Sequence, residues 1–310
     1  MDEAGGWTGL DEVLPRRLRT WLEDRFWRPI EAQATLEALR ADPAFFADPG
    51  THPAMFADHG VVHARDVAVG LVRLLDTIDG VLLPARPPAR RQFVAALGVA
   101  TAYLHDIGMV DMTTMGRRIH PQFAAHAAFG AGIAPLVEHL LAPGPVRARL
   151  DDVATRAPFA APLEVVVREL LSLSVTHSKS VVPATVLDDR GALRRLMQRV
   201  VFTSLDDQRA AAAGSLLEDA TSPPRAGANT NAYPDPSAAF AWLDAPSGPH
   251  AELADDAIDT MRTLRAADVL RQRGTVLRTS GGFEVCMDAD TARAVCTLRP
   301  ATGDAAWVIA

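Results

Sequence analysis

Apolar residues return at every third or fourth position along most of this chain, the period of a helix that buries one face. That spacing predicts helices over residues 14–39, 61–75, 91–104, 122–141, 163–173, 193–217 and 253–270, with no alternating strand pattern competing inside them. Breaks separate the runs at Asp48-Pro49-Gly50, across 84–88, at Pro143-Gly144-Pro145 and through the stretch 221–249, rich in Pro, Gly, Asn and Ser. The last break is long for a loop within a compact domain, so it reads as a lid or a mobile insertion that Phe240, Trp242 and Leu243 would anchor. After Gly274 the pattern changes to short β-prone runs at 275–277, 283–287, 292–298 and 307–309. The expectation is a mostly α fold: a helical body over 1–274 and a small antiparallel β meander over 275–310, too short to hold a core of its own.

Composition narrows the picture. A chain of 310 residues with 48% apolar side chains has ample material for a core. Its net charge of -7 and the lack of a dense basic run argue against nucleic acid as the partner and favour a small substrate. The acidic start Met1-Asp2-Glu3 lacks the basic-then-apolar form of a secretory leader. The apolar window 124–142 is interrupted by His126, Pro135, Glu138 and His139, which makes it a poor membrane span. A cytoplasmic protein without a membrane partner is expected. Cys286 and Cys296 have no partners at zinc-site spacing and read as reduced thiols.

Candidate chemistry centres on His105 and Asp106, adjacent in Tyr103-Leu104-His105-Asp106-Ile107-Gly108 where an apolar helix ends. An imidazole nitrogen and a carboxylate oxygen leaving one short piece of backbone can bind the same divalent cation. Upstream, His59 and His63 share a helix face, and only one of them need be a ligand. Far downstream, Asp268 sits among Ala266, Ala267, Val269 and Leu270, where a carboxylate is costly unless paired or bound to metal. Of the 31 basic residues only Lys179, two positions after His177, is a lysine, and its compact ammonium suits a phosphate oxygen as well as it suits a solvated loop. Arg262 and Arg265 read equally as a phosphate clamp or as surface ion pairs, and Asp259 as an acid behind the ligands. His120, before Pro121, reads as a cap on the next helix in preference to a residue that enters the pocket; His52, His139 and His250 carry no partner signal.

The ordered set of His63 in Asp58-His59-Gly60-Val61-Val62-His63, the dyad in Leu104-His105-Asp106-Ile107-Gly108 and Asp268 in Ala267-Asp268-Val269-Leu270 resembles the HD superfamily of metal-dependent phosphohydrolases. The resemblance covers residues 55–274 and implies an all-helical bundle whose first metal is held by His63, His105, Asp106 and Asp268. His126 and His177 look like the further ligands of those HD subfamilies in which the dyad aspartate, here Asp106, bridges two ions. Two divalent ions are then expected, manganese or iron ahead of magnesium, nickel or zinc.

Two departures matter. Ser178-Lys179-Ser180 stands where cyclic-dinucleotide hydrolases of the superfamily carry Gly-Tyr-Pro, and Met109 stands where many relatives have lysine. The activity implied is hydrolysis of a nucleotide or another small phosphate ester by metal-activated water, with Asp106 at the metals and Lys179 or Arg265 stabilising developing charge. Two other readings stay open: a di-iron oxygenase built on the same ligand set, and a sensor that binds nucleotide or metal without turnover.

Overall fold

A computed structural model of the chain describes residues 13–33, 60–78, 86–111, 114–178, 182–211 and 235–270, together with strands at 278–280, 283–287, 296–300 and 307–309. His59, Lys179 and residues 221–234 of the proline-rich stretch lie outside the described residues. Helix dominates, as the periodicity predicts. In chain order the helices are α1 (Arg16–Leu22), α2 (Arg28–Gln33), α3 (Val61–Ile78), α4 (Pro88–Ala102), α5 (Thr114–Ala127) and α6 (Ala134–Leu141). They continue as α7 (Pro145–Arg156), α8 (Leu163–Ser172), α9 (Arg190–Phe202), α10 (Leu205–Ala211) and α11 (Gly248–Leu270). A π-helical turn, Glu23–Trp27, joins α1 to α2, and 3-10 turns at Ile107–Val110 and Leu173–His177 follow α4 and α8.

Several boundaries differ from the expectation for local reasons. The run 122–141 is two helices, because Gly130, Gly132 and Pro135 break it between Ala127 and Ala134. The run 193–217 stops at Phe202 and restarts at Leu205, where the Ser204 hydroxyl accepts the Asp207 amide at 3.1 Å. Helix α7 has no counterpart among the expected ones: only Val146, Leu150 and Val153 form its apolar stripe, and arginines and aspartates fill the rest.

Helix α11 runs through the middle, packed on α3, α4 and the turn Leu173–His177. Ala251, Ala254, Ala257, Ala266 and Ala267 are buried along it and let the neighbouring helices approach closely. Two of its inward polar groups bond within the helix. Thr260 and Thr263 hydroxyls each donate at 2.7 Å to the carbonyl four residues earlier. Asp256, wholly buried, takes three hydrogen bonds of 2.8–3.0 Å from Arg90 and one of 3.2 Å from Arg149, with Arg86 alongside. This ion network ties α11 to α4 and α7.

The segment 235–244 is fastened to α8 by Glu169, whose carboxylate accepts the Phe240 amide and the Trp242 indole N–H, each at 2.6 Å. Phe240, Trp242 and Leu243 are buried there, and Phe240 holds a left-handed backbone, φ 57°. The stretch from α4 into the turn after it, 23 residues, is apolar and long enough to cross a membrane, but 94% of its most apolar window is buried in the protein. The four C-terminal strands form an antiparallel sheet in sequence order, with Val285 opposite both Arg278 and Leu298.

Candidate metal centre

Four of the helical elements end or bend so that their ligand-type side chains meet. His63 lies in the first turn of α3; His105 and Asp106 lie in the turn after α4; His177 ends the 3-10 turn after α8; Asp268 lies near the end of α11. Asp106 is at the centre, buried, with its two oxygens facing different pairs of imidazoles. Its Oδ2 is 3.4 Å from His63 Nε2 and 3.3 Å from His105 Nε2. Its Oδ1 is 3.1 Å from both His120 Nε2 and His177 Nε2. Asp268 Oδ1 completes the first pair at 3.5 Å from His63 and 3.9 Å from His105. Two groups with the geometry to hold a metal ion result: His63, His105 and Asp268, and Asp106, His120 and His177.

Backbone carbonyls fix how these rings point. His105 Nδ1 donates to the Ala102 carbonyl at 2.8 Å and His177 Nδ1 to the Ser174 carbonyl at 2.7 Å, each three residues earlier in its own turn. Held so, both rings turn Nε2 toward Asp106, the tautomer a metal ligand needs. His63 Nε2 approaches His105 Nε2 to 3.2 Å, and His120 Nε2 approaches His177 Nε2 to 3.1 Å. Four imidazoles and two carboxylates, without a thiolate, form a nitrogen and oxygen donor set that fits a hard or borderline divalent cation.

Without a cation the charges settle among the ligands themselves. Burial opposes charge on His105, yet the Asp106 and Asp268 carboxylates outweigh it and push the imidazole up to about 9. Burial likewise opposes ionisation of Asp106, and the charged His105, with His120 and His177 within hydrogen-bond reach, holds its carboxyl well below the usual range. His177 moves the other way: burial, with the neighbouring His105 and His120, pushes it below the ordinary imidazole value despite Asp106. A neutral ring there is ready to coordinate.

The site brings together His63, His105, Asp106, His177 and Asp268 as the spacing and the resemblance imply, but not His126. That residue lies six positions beyond His120 on α5, about 9 Å further along the axis. It donates from Nε2 to the Val200 carbonyl at 2.7 Å, beside the Gln208 amide at 2.9 Å, and burial pushes its pKa down. His126 therefore ties α5 to α9 and α10, and His120 stands in the position expected of it. Expecting a cap at His120 misreads His120-Pro121 as a helix start, whereas α5 runs through Pro121 from Thr114. The hint in the sequence is Gly108. A Cβ there would fall 2.2 Å from the His120 carbonyl oxygen, so the glycine after the dyad is what lets α5 bring His120 against Asp106.

The arginines divide as well. Arg262 is engaged by Asp188 at 2.6 Å and Asp259 at 3.2 Å, which is the ion-pair alternative, and Asp259 is also bonded to Arg86. Arg265 is 1% exposed and donates to the Val182 carbonyl at 2.9 Å, just past His177 and Ser178 in the chain. Its Nε has no partner, no carboxylate lies within ion-pair distance among the described residues, and burial lowers its pKa to about 10. His139 and His250 serve as donors to the Val13 and Ala157 carbonyls at 3.0 and 2.9 Å.

Comparison with protein-family models, with curated proteins and with solved structures found no match.

Proposed function

We propose that this protein is a metal-dependent phosphohydrolase of the HD type, with a helical HD bundle as its body and a nucleotide or other small phosphate ester as its substrate. The observation that carries the reading is the division of Asp106, one oxygen toward His63 and His105 and the other toward His120 and His177. A carboxylate so placed would bridge two ions, the first held also by His63, His105 and Asp268, the second by His120 and His177. Bound divalent cations, manganese or iron by the donor set, would supply a water of lowered pKa and neutralise phosphoryl oxygens.

The chain's own groups do the rest. The carbonyls of Ala102 and Ser174 keep His105 and His177 in the ligating tautomer. The dyad aspartate keeps both halves of the site at one spacing. Positive charge for the phosphate comes from Lys179, which follows His177 in sequence, and from Arg265 behind the same segment.

Phosphate release from a panel of nucleotides and phosphorylated metabolites, with manganese, magnesium or ferrous iron, tests the reading. Wild type should turn over a member of the panel only with metal, and Asp106→Ala should lose the activity by more than about a hundredfold. Metal-loaded protein inactive on the whole panel would sink it. Oxygen-dependent turnover of the ferrous form would then identify an oxygenase, and tight nucleotide binding without turnover a sensor.

A further inference from the structure

The N-terminal segment 16–33 carries no ligand, yet it touches the candidate metal centre from beneath at several independent points. Trp27 is wholly buried and its indole lies against both rings of the first group, 6.2 Å from the His63 centroid and 5.9 Å from the His105 centroid. It is tilted by 49° to one ring and 45° to the other, and so packs obliquely against both. The indole N–H donates at 3.1 Å to the carbonyl of Tyr103, two residues before His105. Trp27 closes the π-helical turn Glu23–Trp27, an insertion of the kind that re-aims a side chain at the cost of helix regularity.

The same segment pins the two backbone pieces that carry those histidines. Glu23 takes both arms of Arg65, at 2.8 and 2.7 Å, two residues after His63, and accepts the Tyr103 hydroxyl at 3.4 Å. Glu31 Oε1 accepts the Val61 amide at 2.6 Å, capping the N-terminus of α3 one turn from His63. A Cβ on Gly60 would sit 2.4 Å from that carboxylate oxygen, so a side chain there would push the Glu31 carboxylate out of this position. Gln33 donates at 2.7 Å to the Val110 carbonyl, at the end of the turn that follows the dyad.

We infer that Trp27 and Glu31 are positioning residues of the metal centre: Trp27 sets the planes of His63 and His105, and Glu31 sets the start of the helix that carries His63. The inference rests on reading the cluster as a metal centre. Ring orientation is otherwise fixed for His105 by one carbonyl, and ligand rings are tuned by what lies behind them. The segment would then govern the affinity and geometry of the first ion more than that of the second.

Full-length protein stripped of metal and titrated with Co²⁺ alone, followed by calorimetry and by visible absorption, tests this. Wild type should bind with a defined ligand-field band. Trp27→Ala and Glu31→Ala should each weaken the tighter binding by about 10- to 100-fold and shift the band. Trp27→Phe, which keeps a ring but loses the N–H, should restore most of the affinity, and Glu31→Gln, which keeps an acceptor, should do the same. Variants that lose thermal stability but bind Co²⁺ with wild-type affinity and spectrum would overturn the inference, leaving the segment a merely structural support. Wild type that binds no Co²⁺ would overturn the metal-centre reading itself, and this inference with it.

Discussion

At the scale of single residues, identity matters less than the backbone from which a side chain departs. His120 and His126 sit on one helix, and both are part-buried and hydrogen-bonded, yet only His120 faces Asp106, because six residues turn the helix through about two-thirds of a revolution beyond a full one. The two substitutions should therefore separate cleanly. His120→Ala should lower bound manganese from two ions toward one per chain while the protein stays folded. His126→Ala should leave metal content unchanged and lower stability by about 1–3 kcal/mol, since it leaves the Gln208 amide without that neighbour and opens the contact to Val200. Elemental analysis after dialysis, beside thermal melts of both variants, decides it. Metal lost from His126→Ala and retained in His120→Ala would restore the assignment drawn from the sequence resemblance.

At the scale of helices, the balance between apolar pattern and ion pairing explains both what holds the bundle and what could be read in advance. The end of α11 that carries Asp268 is placed by an anchor three turns earlier, where Asp256 joins Arg90 of α4 and Arg149 of α7. Asp256→Ala would remove the buried carboxylate that Arg90 and Arg149 share, leaving Arg149 only Asp152 and Glu252 nearer the surface, and should cost about 3 kcal/mol. Urea unfolding checks it; a loss under about 1 kcal/mol would mean the network is dispensable. Helices with an apolar stripe or a long apolar run, such as α3, α8 and α4, were legible because burial imposes a pattern on the sequence. Helix α7 was not, since its short apolar stripe of Val146, Leu150 and Val153 is set among charged residues such as Arg147 and Asp151, paired at 2.8 Å. The residues that the structure gathers round Asp106 and that the sequence also singles out, His63, His105, His177 and Asp268, leave from helix ends and turns whose boundaries the sequence marks. The placing of His120 in the position expected of His126 depends on a backbone approach at Gly108 that joins two elements and that no local spacing records.

At the scale of the whole molecule, a centre built from buried titratable groups makes stability, protons and metal one linked system. In the metal-free protein the His105 proton is held to about 9, against an ordinary imidazole near 6.5, so its stabilisation is complete below about 6.5 and is lost as pH rises through about 9. The depressed Asp106 carboxyl acts in the opposite sense: its stabilisation is present above the ordinary carboxylate value of about 4 and is lost as pH falls through its folded value. Because burial also depresses His126 and His177, whose protonation in acid favours unfolding, stripped protein should be most stable near neutral pH and soften from about pH 7 to 9. A cation needs the Nε2 lone pair of His105 and must expel that proton, so each chain should release about one proton on binding manganese at pH 7.5. Affinity should rise up to about tenfold per pH unit until about 9, where the proton is gone. Metal at a hundredfold excess over its Kd should add about 2.7 kcal/mol, which reverses the alkaline softening. Calorimetry of manganese binding in two buffers of different ionisation enthalpy counts the proton directly. A count near zero, with affinity flat across pH 7 to 9, would mean that His105 is neutral before metal arrives and that the Asp106 pair does not hold the charge assigned to it.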